Sequence, residues 1–266
     1  MIDRSAATGR ETGRNGDFVQ SFERGLAVLR SFGPDRPSMT LSEAALQSGL
    51  TRAAARRFLL TLERLGYVAF DGRLFSLRPR VLELGYAYLA SLPIWELAAP
   101  HMRDLVEQLH ESSSSSVLDD DEIVYVARVP TKRIMTINLV VGSRLPAYPT
   151  SMGRVLLAGL APQELDGFFD RVELEPLTER TVTDEGRLRS VIDEVREQGW
   201  AIVDQELEEG VRSVAAPLVN ADGRVVAALN VSGHATRVTL ETLRRTFLPR
   251  VLDTAGRINT DLRSRR

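Results

Sequence analysis

Apolar side chains in the stretch SFERGLAVLRSF recur at helical spacing, with Phe22, Leu26, Leu29 and Phe32 on one face. That periodicity predicts an amphipathic first helix, closed by Gly33-Pro34. Thr40 precedes Glu43 at the spacing of a capping box, in which two side chains satisfy two orphan backbone donors. A short helix over Leu41–Gln47 follows, stopped by Ser48-Gly49, where glycine supplies the left-handed conformation. Thr51 caps a third helix whose buried stripe is Ala55, Phe58, Leu59, Leu62 and Leu65. Its opposite face carries Arg52, Ala53, Arg56, Arg57 and Arg64. The period then changes to that of strands, Tyr67–Phe70 and Arg73–Leu77, joined by Asp71-Gly72. This pair tolerates the positive φ of a tight hairpin.

Pro79–Ser91, apolar at Val81, Leu82, Leu84 and Leu89 and continuing to Leu92, predicts a linker helix over 79–93 that ends at Pro93. Leu97–Glu111 is helical, with Pro100 placed in the first turn, where proline is tolerated. The five-serine run Ser112–Ser116 has the composition of a loop whose end can enter a strand. Glu122–Val129 and Arg133–Val141 are β-prone, and Arg144–Tyr148 extends the same sheet. Helices are predicted over Met152–Leu160, Pro162–Phe169 and Glu185–Gln198, and strands over Trp200–Asp204, Val211–Leu218 and Val225–Ser232. Thr239 caps a final helix with the stripe Leu240, Leu243, Phe247, Val251, Ala255, Ile258 and Leu262. Antiparallel hairpins with flanking helices make the fold class α+β.

Composition narrows the function. The chain has 266 residues, 43% of them hydrophobic, enough for one large domain or two small ones. It has no cysteine, which excludes disulfides, thiol catalysis and thiolate metal sites and points to a cytoplasmic location. No run approaches the ~18 consecutive apolar residues of a membrane span. Residues 1–17 lack the apolar core of a secretory signal and are expected to be a disordered tail. The net charge of −2 suggests no polyanionic partner until it is mapped. Between Phe18 and Leu82 stand ten arginines against five acids, a net of +5, while residues 83–266 carry −7. A capped helix, a glycine turn, a longer arginine-faced helix and a hairpin in a basic segment make a winged helix-turn-helix over 18–78. The second helix of such a pair lies in the DNA major groove. Thr40, Thr51, Arg52, Ala53, Arg56 and Arg57 are the candidate DNA contacts, with Arg73 on the wing reaching phosphate or minor groove.

Catalytic constellations are missing from the sequence. His101, His110 and His234 are scattered, with no metal-ligand spacing, and GxSxG, P-loop and GxGxxG motifs are absent. Neither a cofactor nor a metal is expected. The strongest ligand signal is Tyr148-Pro149-Thr150-Ser151-Met152-Gly153-Arg154. A hydroxyl-rich loop opening a helix presents free N–H groups suited to a carboxylate, although a simple N-cap has the same sequence. Arg154 reads either as added charge at that site or as a surface residue. Glu206, Glu208 and Glu209 read as an acidic loop.

The stretches SFERGLAVLRSF, LSEAALQSGLTRAAARRFLLTLERLGYV, FSLRPRVLELGYAYLAS, YPTSMGRVLLA and GWAIVDQELEEGVRSVAAPLVNADGRVVAALNVSGHATRVT together resemble the IclR-type bacterial transcription regulators. TRAAARRFLLTL, YPTSMGRVLLA and VDQELEEGVRS are most similar to regulators of the protocatechuate and β-ketoadipate branch of aromatic catabolism. The resemblance implies a GAF-like antiparallel-sheet effector domain over 94–266, with a pocket on one face. It implies a linker helix that contributes to dimer contacts, and effector positions at Ser151, Met152, Gly153, Val211, Ser213, Asn230 and Ser232. Asp204 is a further candidate effector contact, but this chain has Val203 where many relatives have a second aspartate, so Asp204, Gln205 and Glu206 either orient pocket groups or rim the pocket. The implied partners are a palindromic double-stranded DNA operator, a small organic acid such as β-ketoadipate or protocatechuate, and further copies of the chain in a homodimer or homotetramer. No membrane partner is implied. The alternatives are a regulator of the same architecture answering an unrelated metabolite, and a small-molecule enzyme with a protein-interaction head.

Overall fold

The computed structural model describes residues 18–91, 94–131 and 139–264. The chain folds as two compact units, Met1–Tyr88 and Leu89–Arg266. The expected tail, Leu92 and Pro93 at the end of the linker, and most of the strand expected over Arg133–Val141 lie outside the described residues. Residues 139–141 form no strand.

In the first unit, α1 (Gln20–Arg30), β1 (Ser38–Met39), α2 (Leu41–Gln47), α3 (Arg52–Arg64), β2 (Val68–Phe70) and β3 (Phe75–Leu77) follow in that order. The capping box of α2 forms in full: the Thr40 N–H donates to Glu43 Oε2 at 2.7 Å, and the Glu43 N–H donates to Thr40 Oγ1 at 3.3 Å. Gly49, at φ 67°, turns the chain from α2 into α3, whose N-cap Thr51 accepts from the Ala54 N–H. Val28, Phe32, Met39, Ala44, Leu59, Leu62, Val68 and Phe75 make the core. Two expected core positions of α1 are not in it: Phe22 is 67% and Leu26 40% exposed. The apolar arc of α1 is wider than α3 can cover, and the edge bearing Val28 is the one that packs. Leu65, expected in the α3 stripe, is exposed because the helix has ended there. Strand β1 was not anticipated; it pairs with β3 and gives the order β1-β3-β2.

A 3₁₀ turn over Pro79–Val81 leads into α4 (Leu82–Ser91), where the linker helix was expected. In the second unit α5 spans Ile94–Leu109, so Pro100 sits inside the helix and not in its first turn. Among the described residues six antiparallel strands follow: β4 (Ser112–Asp119), β5 (Glu122–Val129), β6 (Arg144–Pro146), β7 (Ala201–Asp204), β8 (Val211–Val219) and β9 (Val225–His234). Their order in the sheet is β6-β5-β4-β9-β8-β7. The serine run is therefore no loop but half of a central strand, buried from Ser112 to Ser116. Its hydroxyls find partners that composition alone does not show. Ser113 Oγ donates to the Asn230 carbonyl at 2.9 Å, Ser116 Oγ to Met152 Sδ at 3.3 Å, and Ser112 Oγ accepts from the Thr131 N–H.

Two helical layers cover the sheet. On one face, α5 and the C-terminal helix bury Met102, Leu105, Val251, Ala255 and Ile258 against Val214, Leu218, Leu229 and Val231. On the other, α6 (Ser151–Ala158), α7 (Pro162–Phe169) and α8 (Glu185–Gln198) pack over Tyr125, Ala215 and Ala228. The C-terminal helix starts as α9 (Leu240–Thr242), widens into a π turn over Leu243–Phe247 and continues as α10 (Leu248–Ser264). Pro249, which has no N–H to donate, lies just past the wide turn. Most of the expected stripe is buried, but Leu240 at its start is 38% exposed.

Candidate functional site

The first unit presents a basic surface. Along α3 the side chains of Ala55, Leu59 and Leu62 turn inward, which leaves Thr51, Arg52, Ala53, Arg56 and Arg57 exposed on the other side. None of these arginines, nor Arg73, forms a salt bridge among the described residues. Other arginines of this unit are spent on structure. Arg80 Nη1 donates to the Leu65 carbonyl at 2.9 Å and its guanidinium lies over Tyr67, while Arg36 reaches the Ser31 carbonyl. The Thr40 hydroxyl is also engaged, donating to Glu43 Oε2 at 2.8 Å.

The wing turn is tighter in its bonding than Asp71-Gly72 alone suggested. Asp71 Oδ1 accepts from the N–H groups of Leu74 (2.7 Å) and Arg73 (2.8 Å), and Gly72 adopts φ 99°. Those backbone donors, Leu74 first, hold the Asp71 carboxyl below the usual range. The Thr40 N–H does the same to Glu43, with a smaller share from the charge of Arg73.

The second unit holds a cavity between the sheet and the start of α6. The space between its walls, open mouth included, is about 480 Å³. Ser151, Met152, Val211, Ser213, Asn230 and Ser232 all lie on its wall. Alternation along β9 turns Asn230 and Ser232 to the same face, and pairing of Ser213 with Ser232 and with Val203 carries that wall across three strands. Gly153 acts through space: a Cβ there would overlap the backbone of Ala147, so glycine lets the 147–150 turn lie against α6. Thr150 caps the helix, its Oγ1 accepting from the Gly153 N–H at 2.9 Å and donating to the Ala147 carbonyl. Ser151 Oγ, buried on the cavity wall, has no hydrogen-bond partner among the described residues. An orphaned buried hydroxyl is costly, and a ligand oxygen in the cavity would satisfy it.

Asp204 stands apart from these residues. Val203 takes the cavity side of β7, so Asp204 turns to the other side, bonded to Arg212 and, at 2.6 Å, to Arg180. Burial pushes its carboxyl up, but Arg212, Gln205 and Arg180 outweigh that and hold it below the usual range. Gln205 is held at φ 62°, and its carboxamide accepts from the Gly210 N–H, which shapes the loop carrying Leu207 onto the wall.

Arg154 is neither a charge in the cavity nor a surface residue. It is 3% exposed and clasps Glu206 in both forks, at 2.7 and 2.5 Å, while its Nε donates to the Tyr148 carbonyl. Glu206 also accepts from the Val182 N–H at 3.2 Å, so it is a strut and not part of a solvated acidic loop.

Pro149 and Thr150, from the motif that gave the strongest ligand signal, complete the wall with Tyr125, Leu139, Val203 and Leu207, of which none was singled out from the sequence as a ligand position. Burial pushes the Tyr125 phenol up to about 12, against the opposing charge of Arg128, so it stays a neutral hydrogen-bonding group. Among the described residues no cluster of three or more His, Asp or Glu could hold a metal, and no helix is long and apolar enough to cross a membrane.

A winged helix-turn-helix with a bare basic helix face, followed by a sheet whose cavity sets a few polar groups among apolar side chains, is the build of a ligand-responsive DNA-binding regulator. The chain belongs to the IclR family of bacterial transcriptional regulators. The family's helix-turn-helix domain matches residues 21–72 and its C-terminal domain residues 86–260. The Pca regulon regulatory protein of Pseudomonas putida is 46% identical over 89% of this chain and 81% of its own length. A crystal structure of a Rhodococcus sp. RHA1 protein described as a transcriptional regulator is 53% identical, with a TM-score of 0.81 over 92% of this chain and 98% of that one. The inducer-binding domain of an Acinetobacter PobR double mutant, solved with 3-hydroxybenzoic acid, is 33% identical. It has a TM-score of 0.59 and covers 63% of this chain and 97% of its own.

Proposed function

We propose that this regulator controls genes of aromatic-acid catabolism in the protocatechuate and β-ketoadipate branch. In this reading Thr51, Arg52, Ala53, Arg56 and Arg57 enter the major groove of a palindromic operator, and Arg73 reaches the backbone from the wing. A small organic acid such as protocatechuate or β-ketoadipate occupies the cavity walled by Ser151, Met152, Val211, Ser213, Asn230 and Ser232. The domains are 18–78 for DNA, 79–93 as linker and 94–266 for effector and assembly, and the protein works in the cytoplasm.

The observation that carries the ligand class is the orphaned Ser151 hydroxyl at the start of α6, which shares a largely apolar wall with the polar groups of Thr150, Ser213, Asn230 and Ser232. The Pca regulon relative and the hydroxybenzoate-bound PobR domain favour an organic acid of aromatic catabolism as its occupant. The homodimer or homotetramer draws on a different observation. Phe18 and Val19 just before α1, Phe22 and Leu26 on it, and Leu82, Leu84, Tyr86 and Tyr88 on α4, are all exposed. A second copy is the partner that a twofold operator requires.

A thermal-shift panel tests the reading, because a ligand bound only by the native state stabilises it by about 2.7 kcal/mol at a hundred times its Kd. Protocatechuate or β-ketoadipate should raise Tm and be recovered chemically unchanged. A shift produced only by an unrelated metabolite would move the protein to another pathway, and turnover of the acid would make it an enzyme.

A further inference from the structure

Among the described residues of the second unit, four arginines are not exposed: Arg128, Arg154, Arg189 and Arg212. Three of them face carboxylates: Arg154 meets Glu206, Arg189 meets Glu185 and Asp166, and Arg212 meets Asp204. Arg128 has none within reach among the described residues. Its Nη1 donates at 3.1 Å to the hydroxyl of Ser114, a neutral group. A half-buried guanidinium with no countercharge is a standing cost, since removing a charge from water is repaid only by a paired charge.

The sheet register places this cation beside the cavity. Arg128 on β5 pairs with Ser114 on β4, and Ser114 pairs with Asn230 on β9, so all three project to the same face. Asn230 lies on the cavity wall, and its Oδ1 accepts from the Ser114 N–H at 3.1 Å. Arg128 thus lies two strand spacings, about 9–10 Å along the sheet, from the wall residue Asn230, and its guanidinium reaches back to Ser114 on the strand between them. Tyr125, also on the wall, is close enough for the charge of Arg128 to act on its phenol.

We infer that Arg128 is the countercharge of the ligand, receiving a carboxylate that lies along Ser114 and Asn230 and making the cavity selective for acids over their neutral isosteres. The inference rests on the organic-acid reading of the cavity and names the residue that enforces it. An arginine can meet a carboxylate with two parallel N–H donors, which lysine cannot copy. Loss of a charge-assisted hydrogen bond of this type weakens binding by about 10- to 100-fold.

The experiment is calorimetry on the full chain with two pairs of probes, protocatechuate with 3,4-dihydroxybenzamide and β-ketoadipate with its diamide. The wild type, Arg128→Gln and Arg128→Lys are compared. The wild type should prefer the acid of at least one pair by tenfold or more, Arg128→Gln should lose that preference, and Arg128→Lys should keep part of it. Without ligand, Arg128→Gln should melt no lower than the wild type, because the charge it removes is unpaired. An unchanged acid-to-amide ratio in Arg128→Gln would overturn the inference and leave the organic-acid reading standing. A wild type that binds acid and amide equally would do the same. A lower Tm in unliganded Arg128→Gln would mark a structural arginine and also overturn it. A wild type that binds none of the four probes would overturn both.

Discussion

The clasp between Arg154 and Glu206 ties the first turns of α6 to the loop after β7, and thereby holds two parts of the cavity wall in place. Arg154 is 3% and Glu206 8% exposed, so solvent does not screen the pair. Glu206→Gln leaves a guanidinium buried against a neutral amide, and breaking a buried pair in this way costs about 3–5 kcal/mol. For a unit of this size each kcal/mol lowers Tm by about 2–4 °C, so a fall of roughly 6–20 °C is expected. Both tryptophans, Trp95 and Trp200, lie in the second unit, and intrinsic fluorescence therefore follows its melting without interference from the head. Removing both charges with Arg154→Met/Glu206→Leu should restore most of the loss, because a well-packed apolar pair substitutes for an ion pair at little or no cost. The Arg154 bond to the Tyr148 carbonyl and the Val182 N–H bond to Glu206 are both absent from the double variant, which sets a residual deficit of about 2 kcal/mol. A single variant that melts within 2 °C of the wild type, on the order of a surface change, would refute the assignment. A double variant as unstable as the single would refute it as well.

Two further outcomes follow from the head. Arg56→Ala/Arg57→Ala should weaken operator binding by about 1–3 kcal/mol for each guanine the pair bonds. For each phosphate the pair neutralises, the same variant should reduce the salt slope by about one, and gel-shift titrations at two salt concentrations measure both effects. The lowered Asp71 carboxyl makes wing stability depend on pH. Its contribution is fully present above the ordinary aspartate value of about 3.9 and is lost as pH falls through the lower folded value. Asp71→Asn should flatten that acid limb in melts followed by circular dichroism of the isolated 18–88 segment, provided the segment refolds reversibly.

Local chemistry with a short reach was legible in the sequence. The capping box of Thr40 and Glu43 and the glycine stop at Gly49 are set by neighbours a few residues away. Alternation likewise put Asn230 and Ser232 on one face. What could not be read depends on partners far along the chain. Ser112–Ser116 has a loop's composition and becomes a central strand because Asn230, Met152 and Thr131 satisfy its hydroxyls. Arg154 looked free because its partner Glu206 stands 52 positions away. The inward side of α1 is decided by α3, which is why Val28 is buried while Phe22 is exposed. Arg128 drew no notice in the sequence, since its position matters only once the register sets it beside Ser114 and Asn230.

The central claim is that filling the cavity of the second unit changes the grip of the first unit on DNA. Fluorescence anisotropy tests it directly, using operator DNA selected by the protein from a random pool, titrated with and without saturating protocatechuate or β-ketoadipate. Coupling between two sites typically amounts to about 1–3 kcal/mol, so the DNA Kd should change by about 5- to 150-fold. The change should be lost in Ser213→Ala/Asn230→Ala, which keeps the head intact. An acid that saturates the protein by calorimetry yet leaves the DNA Kd where it was would contradict the claim.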